Sequence, residues 1–244
     1  MPVLTNISAL AQCLPGAQDD NRVIEGAALA YDEKVRWVGP AWELPADFSS
    51  WPREDVGDRL VIPGLVDCHT HLAFGGWRGD EFALRAKGAT YQEIAAKGGG
   101  IVSTVARTRV TDHEALVRRA RGFLTQMSAL GVTTIECKSG YGLERDTELR
   151  LLEVYQHLSD EGPHRIVPTL LAAHVVPPEY SDHRDDYVTL ITDTIIPDAA
   201  QAGLARFCDV FVEEGAFTLD EARRILRAGT WNGLRPKLHA DQLS

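Results

Sequence analysis

The sequence has 244 residues, 44% hydrophobic and 25% charged, with a formal net charge of −10, which suits one large globular domain, or one domain with a small appendage. An acidic surface excludes nucleic acid and anionic membranes as partners, because both require a positive footprint; a small anionic substrate stays open where an arginine lines its pocket. Cys13, Cys68, Cys137 and Cys208 lack Cys-X-X-Cys spacing and neither a signal peptide nor a long apolar span is found, so the thiols read as reduced and the protein as cytoplasmic.

In chain order, residues 1–60 read as part of a small β domain, with strands over 2–7, 27–31 and 35–38 and Asp32-Glu33-Lys34 as a polar turn. The run from 61 to 71, V-I-P-G-L-V-D-C-H-T-H, closes on two histidines one residue apart. A strand sends alternate side chains to opposite faces, so His69 and His71 emerge on the same side and can grip one cation. Zinc and ferrous iron accept imidazole nitrogen, and an ion that keeps a position for water does hydrolytic chemistry.

From 61 to 244 the rhythm becomes strand, loop, helix. Thr111-Asp112-His113-Glu114 reads as a capping box, and Leu116, Val117, Ala120, Phe123, Leu124, Met127 and Leu130 fall on one helical stripe that stops at Gly131. Strands follow over 132–139, 165–174, 207–213 and 236–239, and helices over 146–158, 186–202 and 219–228, the last opened by Thr218 as cap. Strands alternating with helices imply a parallel sheet. A barrel is preferred over a doubly wound sheet, because His69 and His71, then Tyr141, His174 and His239 sit at or just after the ends of different strands rather than at one switch point. Gly98-Gly99-Gly100 does not follow a strand, so a dinucleotide site has little support.

Of the eight histidines, His113 and His157 fall within helices and His164 and His183 in polar loops, where solvation explains them. His69, His71, His174 and His239 would converge at one barrel mouth. Tyr141 lies between two glycines in Lys138-Ser139-Gly140-Tyr141-Gly142-Leu143, a turn that can present its phenol over the barrel, or simply pack it. Arg78 follows the His-X-His strand; a guanidinium there can pair bidentately with a carboxylate, although spacing alone does not separate it from a surface arginine.

These segments, together with Glu81-Phe82-Ala83-Leu84-Arg85, the stretches 88–94 and 98–101, Ala172-Ala173-His174, 207–211 and Lys237-Leu238-His239-Ala240-Asp241-Gln242, resemble the imidazolonepropionase family of the amidohydrolase superfamily. The resemblance implies an incomplete (β/α)8 TIM-like barrel preceded by part of a small β-sandwich domain. It also implies hydrolysis of the ring carbon–nitrogen bond of 4-imidazolone-5-propanoate to N-formimidoyl-L-glutamate, a step of histidine degradation. It assigns His69, His71 and His239 as ligands of one Zn2+ or Fe2+/Fe3+ per subunit, Arg78 and Tyr141 as anchors of a small anionic substrate, and His174 and Gln242 as contacts to the ring or its product. A homodimer is allowed for a full-length protein.

The family's metal-binding aspartate on a later strand, and a further catalytic histidine, do not occur before Ser244, so the catalytic groups are unknown here and the chain is expected to be a truncated N-terminal portion. The alternatives are another amidohydrolase, either a deaminase or a cyclic-amide hydrolase in which a modified Lys138 bridges two metals, and a catalytically inactive fragment.

Overall fold

A computed structural model describes residues 1–14, 22–88 and 99–241. Contacts divide the chain into two compact units, Met1–Gly64 and Leu65–Ser244.

The first unit holds one four-stranded mixed sheet, ordered β3-β2-β1-β4. Its strands are β1 (Val3–Ala11), β2 (Val23–Tyr31), β3 (Val35–Pro40) and β4 (Arg53–Val61). The first three pair antiparallel in succession, whereas β4 pairs parallel with β1. Small apolar clusters form on its strands: Val3, Ala28 and Ala30 meet Trp37, Phe48 and Trp51, while Ile7, Leu10 and Ala27 meet Val38 and Val61. Strand β4 is absent from the sequence-based expectation. Its R-E-D-V-G-D-R-L-V lacks apolar alternation, since it is an exposed outer strand whose charges face water. Consequently the apolar run from 61 to 71 is not one strand: β4 ends at Val61 and the next begins at Leu65.

The second unit is built on five parallel strands in sequential order, β5 (Leu65–Thr70), β6 (Val132–Lys138), β7 (Arg165–Ala173), β8 (Phe207–Val212) and β9 (Arg235–Ala240). Each strand bonds to the next with no reversal of order. That is the progression of a barrel, and a doubly wound sheet would break it at a switch point. Among the described residues the sheet is open, with β5 and β9 as its edges.

Helices α1 (Gly79–Ala86), α2 (Ile101–Arg109) and α3 (His113–Ala129) lie between β5 and β6, and α4 (Arg145–Glu161) between β6 and β7. Between β7 and β8 run α5 (Arg184–Leu190), a π turn (Ile191–Ile195) and α6 (Ile196–Gln201); α7 (Leu219–Trp231) precedes β9. Their apolar stripes close the core: Leu116, Val117, Ala120 and Leu124 of α3 pack with Leu151, Leu152 and Tyr155 of α4 and Ile135 of β6. The cap of α3 is Asp112, whose carboxylate accepts from Ala115 N, so the expected box at Thr111 does not form; Thr111 Oγ1 donates instead to Arg107 O at 2.7 Å. Leu130 is 75% exposed rather than on the buried stripe, because Gly131, at φ +84°, turns the chain just beyond it. Thr218 does cap α7, in a reciprocal box with Glu221.

Candidate active site

Histidine 69 is the penultimate residue of β5 and His71 follows its end; Tyr141 lies in the loop after β6, His174 directly after β7, and His239 is penultimate in β9. The sheet therefore gathers residues from positions 69 to 239 at its C-terminal edge. The His69 and His239 rings lie 4.9 Å apart between centroids, and His69 and His71 6.1 Å apart. His71 stacks on His174 at 4.9 Å with 13° between planes, and Tyr141 lies 4.7 Å from His71 and 5.4 Å from His174. Gln242 lies outside the described residues.

Burial favours the neutral form of His69, His71 and His174. It lowers His71 well below the ordinary histidine value and His174 to about 4, and it lowers His69 with help from the nearby Lys138 charge. His174 Nδ1 donates to Gly140 O at 2.9 Å, since a carbonyl can only accept. His71 Nδ1 is buried without a hydrogen-bond partner. Neutral imidazoles beside an unpaired buried nitrogen suit a divalent metal in donor chemistry. The fit is partial: among the described residues no three His, Cys, Asp or Glu side chains are disposed to hold one ion. His69, His71 and His239 are brought close together, and a complete ligand cage is not formed by them alone.

Arg78 stands at the start of α1, about a third exposed, with Nη1 3.7 Å from Glu81 Oε2. It shares a cavity of about 510 Å³ with His71, Phe74, Trp77, Phe82, Thr104 and Tyr141. The pocket is thus aromatic-walled, with one cation and one histidine of the cluster at its lining, a pattern suited to a small ring bearing a negative charge. Gly75 makes this loop possible: its N–H donates to Thr108 Oγ1 at 2.8 Å, and a Cβ there would lie 2.4 Å from Arg107 O. Arg119 bonds the carbonyls of Phe74 and Gly76 and pins the same loop.

Beneath the histidines lies a buried charge network that the sequence reading missed. Lys138 Nζ is 2.8 Å from Glu136 Oε1 and 2.6 Å from Asp209 Oδ2, and Lys237 Nζ is 2.9 Å from Glu136 Oε1. Burial pushes the Glu136 carboxyl up, but hydrogen bonds from Lys138, Thr169 and Lys237 bring it below the usual range. Its signal in the sequence is charge at alternate positions inside apolar strands, Glu136 and Lys138 in T-I-E-C-K and Asp209 in C-D-V-F. Two carboxylates this close require Lys138 to be a cation.

No family model matches the chain. An imidazolonepropionase of Myxococcus xanthus is 52% identical over 223 residues, 90% of this chain and 53% of that protein. One from Cupriavidus pinatubonensis is 46% identical over 231 residues, 95% of this chain and 55% of the relative.

By sequence the chain is similar to imidazolonepropionases.

It spans about half the length of these curated relatives. Imidazolonepropionase similarity agrees with the fold. The structure is similar to a 5-methylcytosine deaminase from Klebsiella pneumoniae (TM-score 0.66, 15% identity, 98% of this chain and 51% of that one). A triazine hydrolase from Arthrobacter aurescens gives a TM-score of 0.62 at 14% identity, covering 99% of this chain and 53% of the other. At such identities the likeness concerns the fold alone, five successive strands of a (β/α) barrel with a small β unit before them.

Proposed function

We propose that this chain carries the substrate pocket and most of the metal-binding imidazoles of an enzyme that hydrolyses the ring carbon–nitrogen bond of 4-imidazolone-5-propanoate to N-formimidoyl-L-glutamate, in the cytoplasm. The observation that carries this reading is the single cavity shared by Arg78, Tyr141 and His71. Arg78 pairs with the propanoate carboxylate, which lets an acidic protein attract an anion. Phe74 and Trp77 flank the ring and exclude water. Tyr141 anchors the ring through its phenol, and His174, neutral with Nδ1 committed to Gly140 O, offers Nε2 as an acceptor for a ring N–H. Gln242 contacts the ring or its product.

His69, His71 and His239 would hold one Zn2+ or Fe2+/Fe3+. Such a metal supplies Lewis-acid polarisation of the ring carbonyl and lowers the pKa of water toward neutrality. The His71 Nδ1 buried without a hydrogen-bond partner among the described residues, and the burial that favours neutral His69 and His71, support this assignment.

Metal analysis of the purified chain, wild type beside His69→Ala, His71→Ala and His239→Ala, together with imidazolonepropanoate binding to the wild type and Arg78→Ala, tests the proposal. Near-stoichiometric metal in the wild type, lost in each variant, supports the ligand set. Equal metal content in all four removes it. Binding of imidazolonepropanoate that is insensitive to Arg78→Ala removes the substrate.

A further inference from the structure

The loop from Ser139 to Leu143 makes almost no use of secondary structure to satisfy its backbone. Three of its N–H groups go to one buried carboxylate: Glu148 accepts from Gly140 N (3.1 and 3.0 Å to its two oxygens), Gly142 N (2.7 Å) and Leu143 N (2.9 Å). Two of its carbonyls go to one guanidinium, with Arg109 Nε donating to Gly142 O at 2.8 Å and Nη2 to Leu143 O at 3.1 Å. Glu148 is fully buried, and a carboxylate is carried into the interior at a cost of several kcal/mol unless its oxygens are filled. A glutamate in the first turn of α4 whose remaining task is to gather three N–H groups of the preceding loop is a device for fixing that loop.

What the loop fixes is the pocket. Tyr141 is its central residue, and Gly140 presents its carbonyl to His174 Nδ1 at 2.9 Å. The approach is tight: a Cβ on Gly140 would lie 2.9 Å from Leu171 O and 3.1 Å from His174 Nδ1. A displacement of a few tenths of an ångström at Gly140 therefore reaches the imidazole directly.

We propose that Glu148 and Arg109 are positioning residues which clamp the 139–143 backbone between a carboxylate and a guanidinium, and so hold Tyr141 over the cavity and His174 in the single tautomer that donates from Nδ1 and accepts at Nε2. The consequence for substrate rests on the function proposed above; the effect on His174 does not. Arg109 draws on Glu179 (2.7 Å) as well, so the clamp extends to the segment after β7 that follows His174.

The test uses the chain with 15N-labelled histidine, His174 being assigned by His174→Gln, and long-range proton–nitrogen spectra to read which ring nitrogen carries the proton. The wild type should show His174 protonated at Nδ1 alone. Arg109→Lys, which keeps the charge and loses the two-pronged grip, and Glu148→Gln, which keeps one acceptor oxygen, should each give a mixture of tautomers, with a larger change in Glu148→Ala. Affinity for imidazolonepropanoate, read by calorimetric titration, should fall about tenfold or more in both conservative variants. A merely structural role would lower the melting temperature and leave the tautomer alone. Wild-type His174 protonated at Nε2, or folded variants that retain the single tautomer, would overturn the proposal. Should Glu148→Gln not fold, Arg109→Lys reads the same quantity from the guanidinium side, and the wild-type spectrum alone can still refute it. Absent binding of imidazolonepropanoate with an intact Nδ1–H pattern would sink the proposed substrate and leave the clamp standing.

Discussion

Lys138 and Asp209 meet at 2.6 Å inside the sheet, the last residue of β6 bonded to the third residue of β8 across the intervening β7. Both side chains are almost completely buried, and Asp209 Oδ1 also accepts its neighbour's N–H, from Val210 at 2.9 Å. The pair ties β6 to β8 and neutralises an Asp209 carboxylate that would otherwise be desolvated without a cation.

Lys138→Met leaves Asp209 without its cation while Glu136 keeps Lys237. Breaking a buried pair from one side costs roughly 3–5 kcal/mol, and the surviving Lys237 contact places the expected loss at the lower end. Urea unfolding followed by circular dichroism measures it. A change under about 1 kcal/mol would mean that water reaches the pair.

Acid should destabilise the second unit through His174. Its folded pKa is about 4, against an ordinary value of 6.5, so the unfolded chain binds the proton more readily. The stability this group contributes is complete above about pH 6.5 and is lost as pH falls toward 4, on the order of 3 kcal/mol over that window. His71, lowered further by burial and the neighbouring His174 and His69, adds in the same direction. Denaturation midpoints at pH 7 and pH 4.5 should differ less in His174→Gln than in the wild type; identical pH dependence would exclude the histidine as the source.

Replacing Arg78 by alanine removes the cavity's cation without touching the core, since the side chain is about a third exposed. Affinity for a carboxylate-bearing ligand should fall by about 2 kcal/mol, the scale of a hydrogen bond to a charged group, and melting should hardly move. Calorimetric titration with imidazolepropanoate, a stable ring-plus-carboxylate probe, decides between loss of affinity and no effect.

Gly75→Ala should be costly for its size. The new methyl would press on the α2 backbone, 2.4 Å from Arg107 O and 2.6 Å from Thr108 N, and neither atom can swing away as a side-chain tip can. A loss of roughly 1–3 kcal/mol is expected, accompanied by weaker ligand binding because Phe74, Trp77 and Arg78 ride on the same loop. Wild-type stability would show that the loop stands off from α2 in solution.

Much of the fold was legible because it is written in local periodicity. Leu116, Val117, Ala120 and Leu124 recur at helical spacing and are buried against the sheet, and β6, β7 and β8 announce themselves as short apolar runs bounded by turns. Strand β4 was not legible, because an outer strand with exposed faces needs no apolar alternation and its only instruction is pairing with β1, some fifty residues away. The cap of α3 was off by one residue for a similar reason: Thr111 and Asp112 both have capping chemistry, and Thr111 is taken by the end of α2.

The sequence by itself determined the chemical inventory: strand-end imidazoles, an arginine after the first of them, glycines flanking a tyrosine, and an acidic surface that makes that arginine necessary for binding an anion. Only the tertiary structure decided what these groups face. Lys237 reaches Glu136 over 101 positions of sequence, and Glu148 turns back to collect the N–H groups of Gly140, Gly142 and Leu143. Neither follows from spacing, because which side chain fills a buried carboxylate's oxygens depends on strand order and on the path of a loop, and both are set by the packing of the whole sheet rather than by neighbours along the chain.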